Sequence, residues 1–166
     1  MDKDHLMSFI KLMTAEMLKA GELAIESQGK VKNLGKKAEA FDSDSLSSVE
    51  NRQAKTEIDE KIQEQLLTFF KDFFEPHSVN IDAEEDTPSK RFFPHINTDI
   101  TIVLDPLDGT LPYLKGSDKY SINVGVIHRG KIITTLVYFP KWKRLYYLDE
   151  NNKPYEVTYT QKLQVK

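Results

Sequence analysis

Two aspartates, Asp105 and Asp108, stand beside Pro106, Gly109 and Thr110 in the string Asp-Pro-Leu-Asp-Gly-Thr. These residue types suit a hard divalent cation together with a phosphate. Mg²⁺ takes one or two protein carboxylates and completes its octahedron with waters and substrate oxygens. Gly109, lacking a Cβ, permits a close backbone approach, and Thr110 adds a hydroxyl and an N–H beside the acids. A helical turn beginning at Thr110 would aim free N–H groups at an anion. A metal ligand set next to an anion cradle indicates phosphate chemistry. The same string is also ordinary turn composition, because Asp, Pro and Gly each favour turns for separate reasons.

The elements around the string have to position it. Ile100 to Leu104 is a β-branched and aliphatic run, which predicts a buried strand that fixes Asp105 at its C-terminal end, where open α/β sheets bind ligands. Pro106 stiffens the exit, and Asp108 can turn back toward the same point. Leu107 to Leu111 resembles the phosphatase loop of the haloacid dehalogenase superfamily. That chemistry needs a nucleophilic aspartate where this chain has Pro106, so an aspartyl-phosphate intermediate is excluded.

Two more acidic places precede the string. Residues 49 to 74 carry Ala54, Ile58, Ile62, Leu66, Phe69, Phe70 and Phe73 at helical spacing, with Thr56 and Asp59 on the border of the stripe. A carboxylate there either points along the core edge into a cleft or faces water. His77 to Ile81 is a short alternating strand that delivers Asp82, Glu84 and Glu85. Three carboxylates so close repel one another unless they are solvated or a cation neutralises them, and a solvated acidic surface is the competing account.

Taken as a set, these three places resemble the inositol monophosphatase family, the Mg²⁺-dependent, lithium-sensitive phosphomonoesterases that include the bisphosphate nucleotidases. Asp105 to Thr110 matches the family's Asp-Pro-Ile/Leu-Asp-Gly-Thr signature. Thr56-Glu57-Ile58-Asp59 is similar to its Thr-x-x-Asp, and Ala83-Glu84-Glu85 to its Gly-Glu-Glu, with Ala83 a departure. The resemblance implies that Glu84, Asp105 and the Leu107 carbonyl hold one Mg²⁺ and that Asp105 bridges to another shared with Asp108, for a total of two or three ions. It implies that Thr110, assisted by Glu85 or Asp59, polarises the attacking water, and that N–H groups of Gly109 and Thr110 steady the phosphate. The implied substrate is a small-molecule phosphate monoester of the inositol phosphate, sugar phosphate or phosphoadenosine phosphate type. Leu111, Pro112 and Tyr113 match no subgroup pattern that would choose among them.

The rest of the chain reads as scaffold. Residues 4 to 28 place Leu6, Phe9, Ile10, Met13, Met17, Ala20 and Ala24 on one helical face, ended near Gly29. Lys30 to Glu50 lapses into basic and then Ser/Asp-rich residues, a solvated surface segment in which Lys36 or Lys37 could reach an anionic substrate. Residues 86 to 98, with Pro88, Pro94, Lys90 and Arg91, read as an exposed connection. Strands are predicted over Tyr120 to Ile127, Lys131 to Phe139, Leu145 to Leu148 and Tyr155 to Tyr159, with a tight turn at His128-Arg129-Gly130. Trp142, His128, Arg129 and the Lys141 to Arg144 cluster are read as turn and edge residues, and His5 and His77 as structural. The expected class is therefore α+β: two N-terminal helices packed on a mostly antiparallel sheet, as in the N-terminal half of the inositol monophosphatase/fructose bisphosphatase layered sandwich.

Composition narrows the classes. With 166 residues, the prior is a single domain, residues 1 to 166, and 39% hydrophobic against 30% charged residues is a globular balance. A net charge of −3 argues against a general nucleic-acid binder. The absence of cysteine removes disulfides, thiolate zinc sites and cysteine nucleophiles. No apolar run long enough for a signal peptide or a spanning helix is visible, so no membrane partner is expected and the cytoplasm is the default location. The resemblance covers only the first half of a typical family member, whose second half supplies a further metal-binding aspartate and most substrate-choosing side chains. The chain is then an active hydrolase, or a catalytically incomplete metal-binding remnant, or one half of a split enzyme. Partners consistent with that are a complementing C-terminal half or a second copy in a homo-oligomer, since a lone half would expose sheet edge.

Overall fold

The computed structural model describes residues 1–31 and 56–159. Lys36, Lys37, Ala54 and all of the Lys30 to Glu50 segment except Lys30 and Val31 lie outside the described residues. Helix α1 spans Lys3–Ser27, and Asp2 caps its N-terminus by accepting from the His5 N–H at 2.8 Å. Its buried face is the stripe Leu6, Phe9, Ile10, Met13, Met17, Ala20 and Ala24 that the helical period predicts. Helix α2 spans Glu57–Phe73 and starts later than the apolar spacing suggests, because Thr56 and Asp59 form a capping box that defines its first turn. The two helices meet through phenylalanines, with Phe9 lying 5.5 Å edge-on from Phe73 and 6.2 Å from Phe70.

The helices pack on a six-stranded sheet in the order β1-β2-β3-β4-β5-β6, comprising Val79–Ala83, Ile100–Asp108, Ser121–His128, Lys131–Phe139, Arg144–Leu148 and Pro154–Thr158. β1 pairs parallel with β2, and every later pair is antiparallel. The class is α+β, as expected. Alternation sets the two faces: Ile102, Leu104, Ile122, Val124, Val126, Leu136 and Tyr138 are buried toward the helices. The β3–β4 turn is the two-residue Arg129-Gly130, with φ of 51° and 74°, the positive values that two-residue hairpins favour. A short helix, α3, spans Thr110–Leu114. No helix among the described residues is long and apolar enough to cross a membrane.

Residues 86–98 are less exposed than their prolines and charges suggest. Pro88–Phe92 forms a 3₁₀ turn, and Thr87, Ser89 and Phe93 are buried. Ser89 donates to both carboxylate oxygens of Glu64, from its N–H at 2.8 Å and its hydroxyl at 2.6 Å, which fastens the connection to α2.

Gly21 sets how closely α1 approaches β4. A Cβ there would press into the Tyr138 ring and lie 3.1 Å from Pro140 Cβ. Gly21→Ala is expected to destabilise the chain by about 1–3 kcal/mol through overpacking, read as a lower urea midpoint at unchanged slope.

Candidate metal and phosphate site

The site forms where β1 ends beside Leu104 of β2, a strand that runs on to Asp108 rather than stopping at Asp105 as its β-branched run predicts. Their parallel register aligns Ala83 with Leu104, and the Glu84 N–H donates to the Leu104 carbonyl at 3.2 Å, which carries Glu84 level with Asp105. Ala83, the departure from the family's glycine, is a regular, 5% exposed strand residue, so its methyl fits and restricts nothing. Beyond Asp105 the pairing with β3 slips and resumes at Asp108, opposite Ser121. A register break there releases the chain from the ladder and lets it turn.

Asp105 is half-buried. Its Oδ1 accepts from the Leu107 N–H at 3.2 Å, and its carboxyl is hydrogen-bonded to that of Glu84. Burial, then the charges of Glu84 and Asp108, push the Asp105 pKa from 3.8 up to about 7. Asp108 is exposed, and its Oδ2 takes a long hydrogen bond from Asn123 Nδ2 at 3.5 Å. The three acids expected to cage ions therefore meet as a bonded pair, Glu84 and Asp105, with Asp108 acting on Asp105 through space. Among the described residues no three acidic or histidine side chains converge on one point.

The donors nonetheless suit Mg²⁺ in kind. All are hard oxygens, and an acid whose pKa is raised to about 7 by burial and then by two like charges is a place where a divalent cation relieves repulsion. The Leu107 carbonyl is close by, 2.9 Å from Thr110 Oγ1.

Gly109 makes the turn into α3, with φ of 87°, a conformation that an L side chain adopts at a penalty. A Cβ there would also lie 2.6 Å from the Lys119 carbonyl. Thr110 then opens α3, as the sequence predicts, and its hydroxyl lies 3.0 Å from Asp59 Oδ1. Asp59 is 1% exposed rather than on a border, and its other oxygen, Oδ2, accepts from the Thr56 N–H at 2.9 Å and hydroxyl at 2.6 Å. Burial raises its pKa, against the lowering effect of the Thr56 and Thr110 hydrogen bonds. One carboxylate thus starts α2 with one oxygen and faces Thr110 with the other. Of the two acids expected to assist Thr110, Asp59 lies within hydrogen-bond reach of it.

Glu85 is 2% exposed, and its backbone is locked by a side chain the sequence reading passed over. Gln63 Nε2 donates to the Glu85 carbonyl at 2.6 Å and to Thr87 Oγ1 at 2.9 Å, while Gln63 Oε1 accepts the Glu85 N–H at 2.9 Å. A signal for it existed: Gln63 sits one helical turn after Asp59, on the same buried face. Lys90 Nζ closes the same corner, donating to the Ala83 carbonyl at 2.8 Å. Tyr113 anchors α3 by donating its hydroxyl to the Ala24 carbonyl at 2.8 Å, and Gln28 Nε2 donates to the Tyr113 and Ser117 carbonyls at 3.1 and 2.7 Å. His5 packs on Phe73 and Phe74, and His77 is exposed, in keeping with structural roles.

Comparison with known proteins decides the family, because the inositol monophosphatase family profile matches residues 8–166. The chain belongs to the inositol monophosphatase family. A fructose-1,6-bisphosphatase/inositol-1-monophosphatase of Aquifex aeolicus is 30% identical over 146 residues, which is 87% of this chain and 48% of that protein. The 3'(2'),5'-bisphosphate nucleotidase CysQ of Salmonella typhimurium is 34% identical over 68 residues, 41% of this chain and 27% of its own length. Among solved structures, a Thermotoga maritima IMPase superposes with a TM-score of 0.69 at 22% identity, covering 96% of this chain and 54% of that one. An IMPase/NADP phosphatase complexed with Mg²⁺ and phosphate gives 0.71 at 20% identity, over 92% of this chain and 52% of its own. The structural likenesses establish the fold of the inositol monophosphatase family. The chain spans about half the length of the relatives it matches, 48% and 54% in the first of each kind.

The Thr56–Asp59, Ala83–Glu85 and Asp105–Thr110 stretches, which resemble the family's motifs, are the ones that the start of α2, the end of β1 and the passage from β2 into α3 bring together.

Proposed function

We propose that this chain carries the metal and phosphate half of a Mg²⁺-dependent hydrolase of small-molecule phosphate monoesters. The observation that carries the reading is the hydrogen bond between Thr110 and Asp59, 3.0 Å long, set beside the Glu84–Asp105 pair. Glu84, Asp105, the Leu107 carbonyl and Asp108 are the groups that would hold Mg²⁺, which supplies charge neutralisation and water activation when bound. Thr110 Oγ1 orients the attacking water and accepts its proton while passing its own to Asp59 Oδ1. The water oxygen forms the new bond to phosphorus as the bond to the ester oxygen breaks, and the departing oxygen takes a proton from solvent to leave as the alcohol. Thr56 keeps Asp59 Oδ2 occupied, so Oδ1 stays aimed at Thr110. The N–H groups of Gly109 and Thr110, at the head of α3, steady the phosphate oxygens, and Glu85, next in the chain, orients Glu84 or the attacking water.

A second reading is a metal-binding unit that binds the ion without turnover. Phosphate release from inositol phosphate, fructose bisphosphate and adenosine bisphosphate, with and without Mg²⁺ and lithium, separates the two. Mg²⁺-dependent, lithium-inhibited release supports the hydrolase. Ion binding with no release from any ester supports the second reading.

The raised Asp105 pKa fixes the pH dependence. The folded chain holds this proton up to about pH 7, whereas the unfolded chain releases it near 3.8, so this group's contribution to stability is full at low pH and lost as pH rises through about 7. Ion binding runs the opposite way, because it expels the proton. Apparent Mg²⁺ affinity is expected to rise about tenfold per pH unit below that midpoint and to level off above it, measured by calorimetric titration across pH.

A further inference from the structure

Trp142 is the chain's single tryptophan and is 44% exposed, yet it is not loosely held. Its ring stacks on Phe139, centroids 4.8 Å apart and planes 18° from parallel, and its Nε1–H donates to Asp118 Oδ2 at 3.0 Å. Phe139 in turn meets Tyr146 edge-on at 6.0 Å. One face of the indole is covered and its edge is pinned, which leaves a rigid aromatic surface presented to solvent. A ring already immobilised loses little further entropy when another ring stacks on it.

The sheet register places this surface beside the acids. Asp105 pairs with Asn123, Asn123 with Val137, and Val137 with Tyr146, so all four project from the sheet face opposite the helices. Phe139 lies two residues further along β4, toward the same end of the sheet. Strand spacing and rise put its Cα about 12 Å from that of Asp105. Asp118, which pins Trp142, belongs to the loop that leaves α3. Lys141 and Lys143 flank the ring, both exposed, and no ion pair among the described residues engages either.

We propose that the β4–β5 turn, centred on Trp142, is a stacking platform for the base of a nucleoside bisphosphate whose ester phosphate occupies the acid site. This rests on the phosphatase reading above. The span from Asp105 to Phe139 is one that a phosphorylated nucleoside bridges, and Lys141 and Lys143 meet its remaining phosphate. An inositol or sugar phosphate offers no π-face to the indole. The turn residues that the sequence assigns to an ordinary edge thus select the substrate class.

Because Trp142 is the only tryptophan, its fluorescence reports on the platform directly. With Ca²⁺ in place of Mg²⁺, adenosine bisphosphate is expected to quench the emission saturably, and inositol phosphate and inorganic phosphate are expected to leave it unchanged. Calorimetry on Trp142→Ala should show nucleotide binding weakened about tenfold or more with inorganic phosphate binding unaltered, and Trp142→Phe should retain most of the affinity. Unchanged emission, or equal nucleotide affinity in Trp142→Ala, overturns the platform. Quenching without phosphate release from any ester overturns the hydrolase and leaves the platform standing. Release from every ester, with a nucleotide KM indifferent to Trp142→Ala, does the reverse.

Discussion

Asp105→Asn is expected to make the ion-free chain more stable and at the same time to abolish Mg²⁺-dependent phosphate release. Both effects come from one carboxyl. Asp105 is half-buried against Glu84 and near Asp108, and its pKa of about 7 records how strongly burial and those two charges oppose its ionisation. Above that pH the wild-type chain must hold the charge, whereas asparagine removes it and keeps nearly the same shape. The full shift overstates the gain because solvent screens part of the repulsion, so the gain is about 2 kcal/mol, or roughly 4–8 °C in melting temperature for a chain of this size. Mg²⁺ should raise the melting temperature of the wild type and leave that of Asp105→Asn unmoved, because a neutral amide is a poor ligand for a hard cation. Thermal scans with and without Mg²⁺, above and below the Asp105 midpoint, check the stability effect. A variant that is less stable at high pH, or one that keeps full activity, contradicts the role given to Asp105.

Thr110→Val separates chemistry from ion binding. The hydroxyl sits between Asp59 Oδ1 at 3.0 Å and the Leu107 carbonyl at 2.9 Å, and valine replaces it with a methyl of similar volume. Turnover is expected to fall about 10²- to 10⁴-fold, the usual worth of positioned proton transfer, while Mg²⁺ still stabilises the chain. Thr110→Ser should recover most of the rate. Asp59 is the less informative target, because its Oδ2 also caps α2, and removing the cap costs about 1 kcal/mol of stability by itself. A Thr110→Val enzyme with unchanged kcat would remove the threonine from the chemistry.

The parts of this fold that follow a short period are legible in the sequence. The α1 stripe and the alternation of Ile122, Val124 and Val126 identify a helix and a strand because each buries a single face. The Asp-Pro-Leu-Asp-Gly-Thr string marks the exit from its strand but not its last residue, since β2 runs on past Asp105 through a register break to Asp108 before Gly109, at positive φ, turns the chain out. What the pattern does not carry is partnership across long separations. Asp59 reads as a rim residue until Thr110, 51 positions away, is seen to meet it. Gln63 reads as helix polarity until it is found clamping Glu85 and Thr87. The buried stretch from Thr87 to Phe93 has the prolines and charges of a surface loop, and only contact with Glu64 of α2 draws it inward. Trp142 is unremarkable in sequence for the same reason, because its stacking partner and its hydrogen-bond acceptor become neighbours only once β4 and the loop after α3 are placed side by side.

Diffraction from crystals grown with Mn²⁺ decides whether Glu84, Asp105 and Asp108 hold divalent ions where β1 ends beside β2. Anomalous peaks are expected between the carboxylates of Glu84 and Asp105 and the Leu107 carbonyl, with Asp108 drawn onto a neighbouring ion. Mn²⁺ gathered instead along α2, among Glu57, Glu60, Glu64 and Asp86 where another acidic pocket opens, with no density beside Asp105, would contradict it.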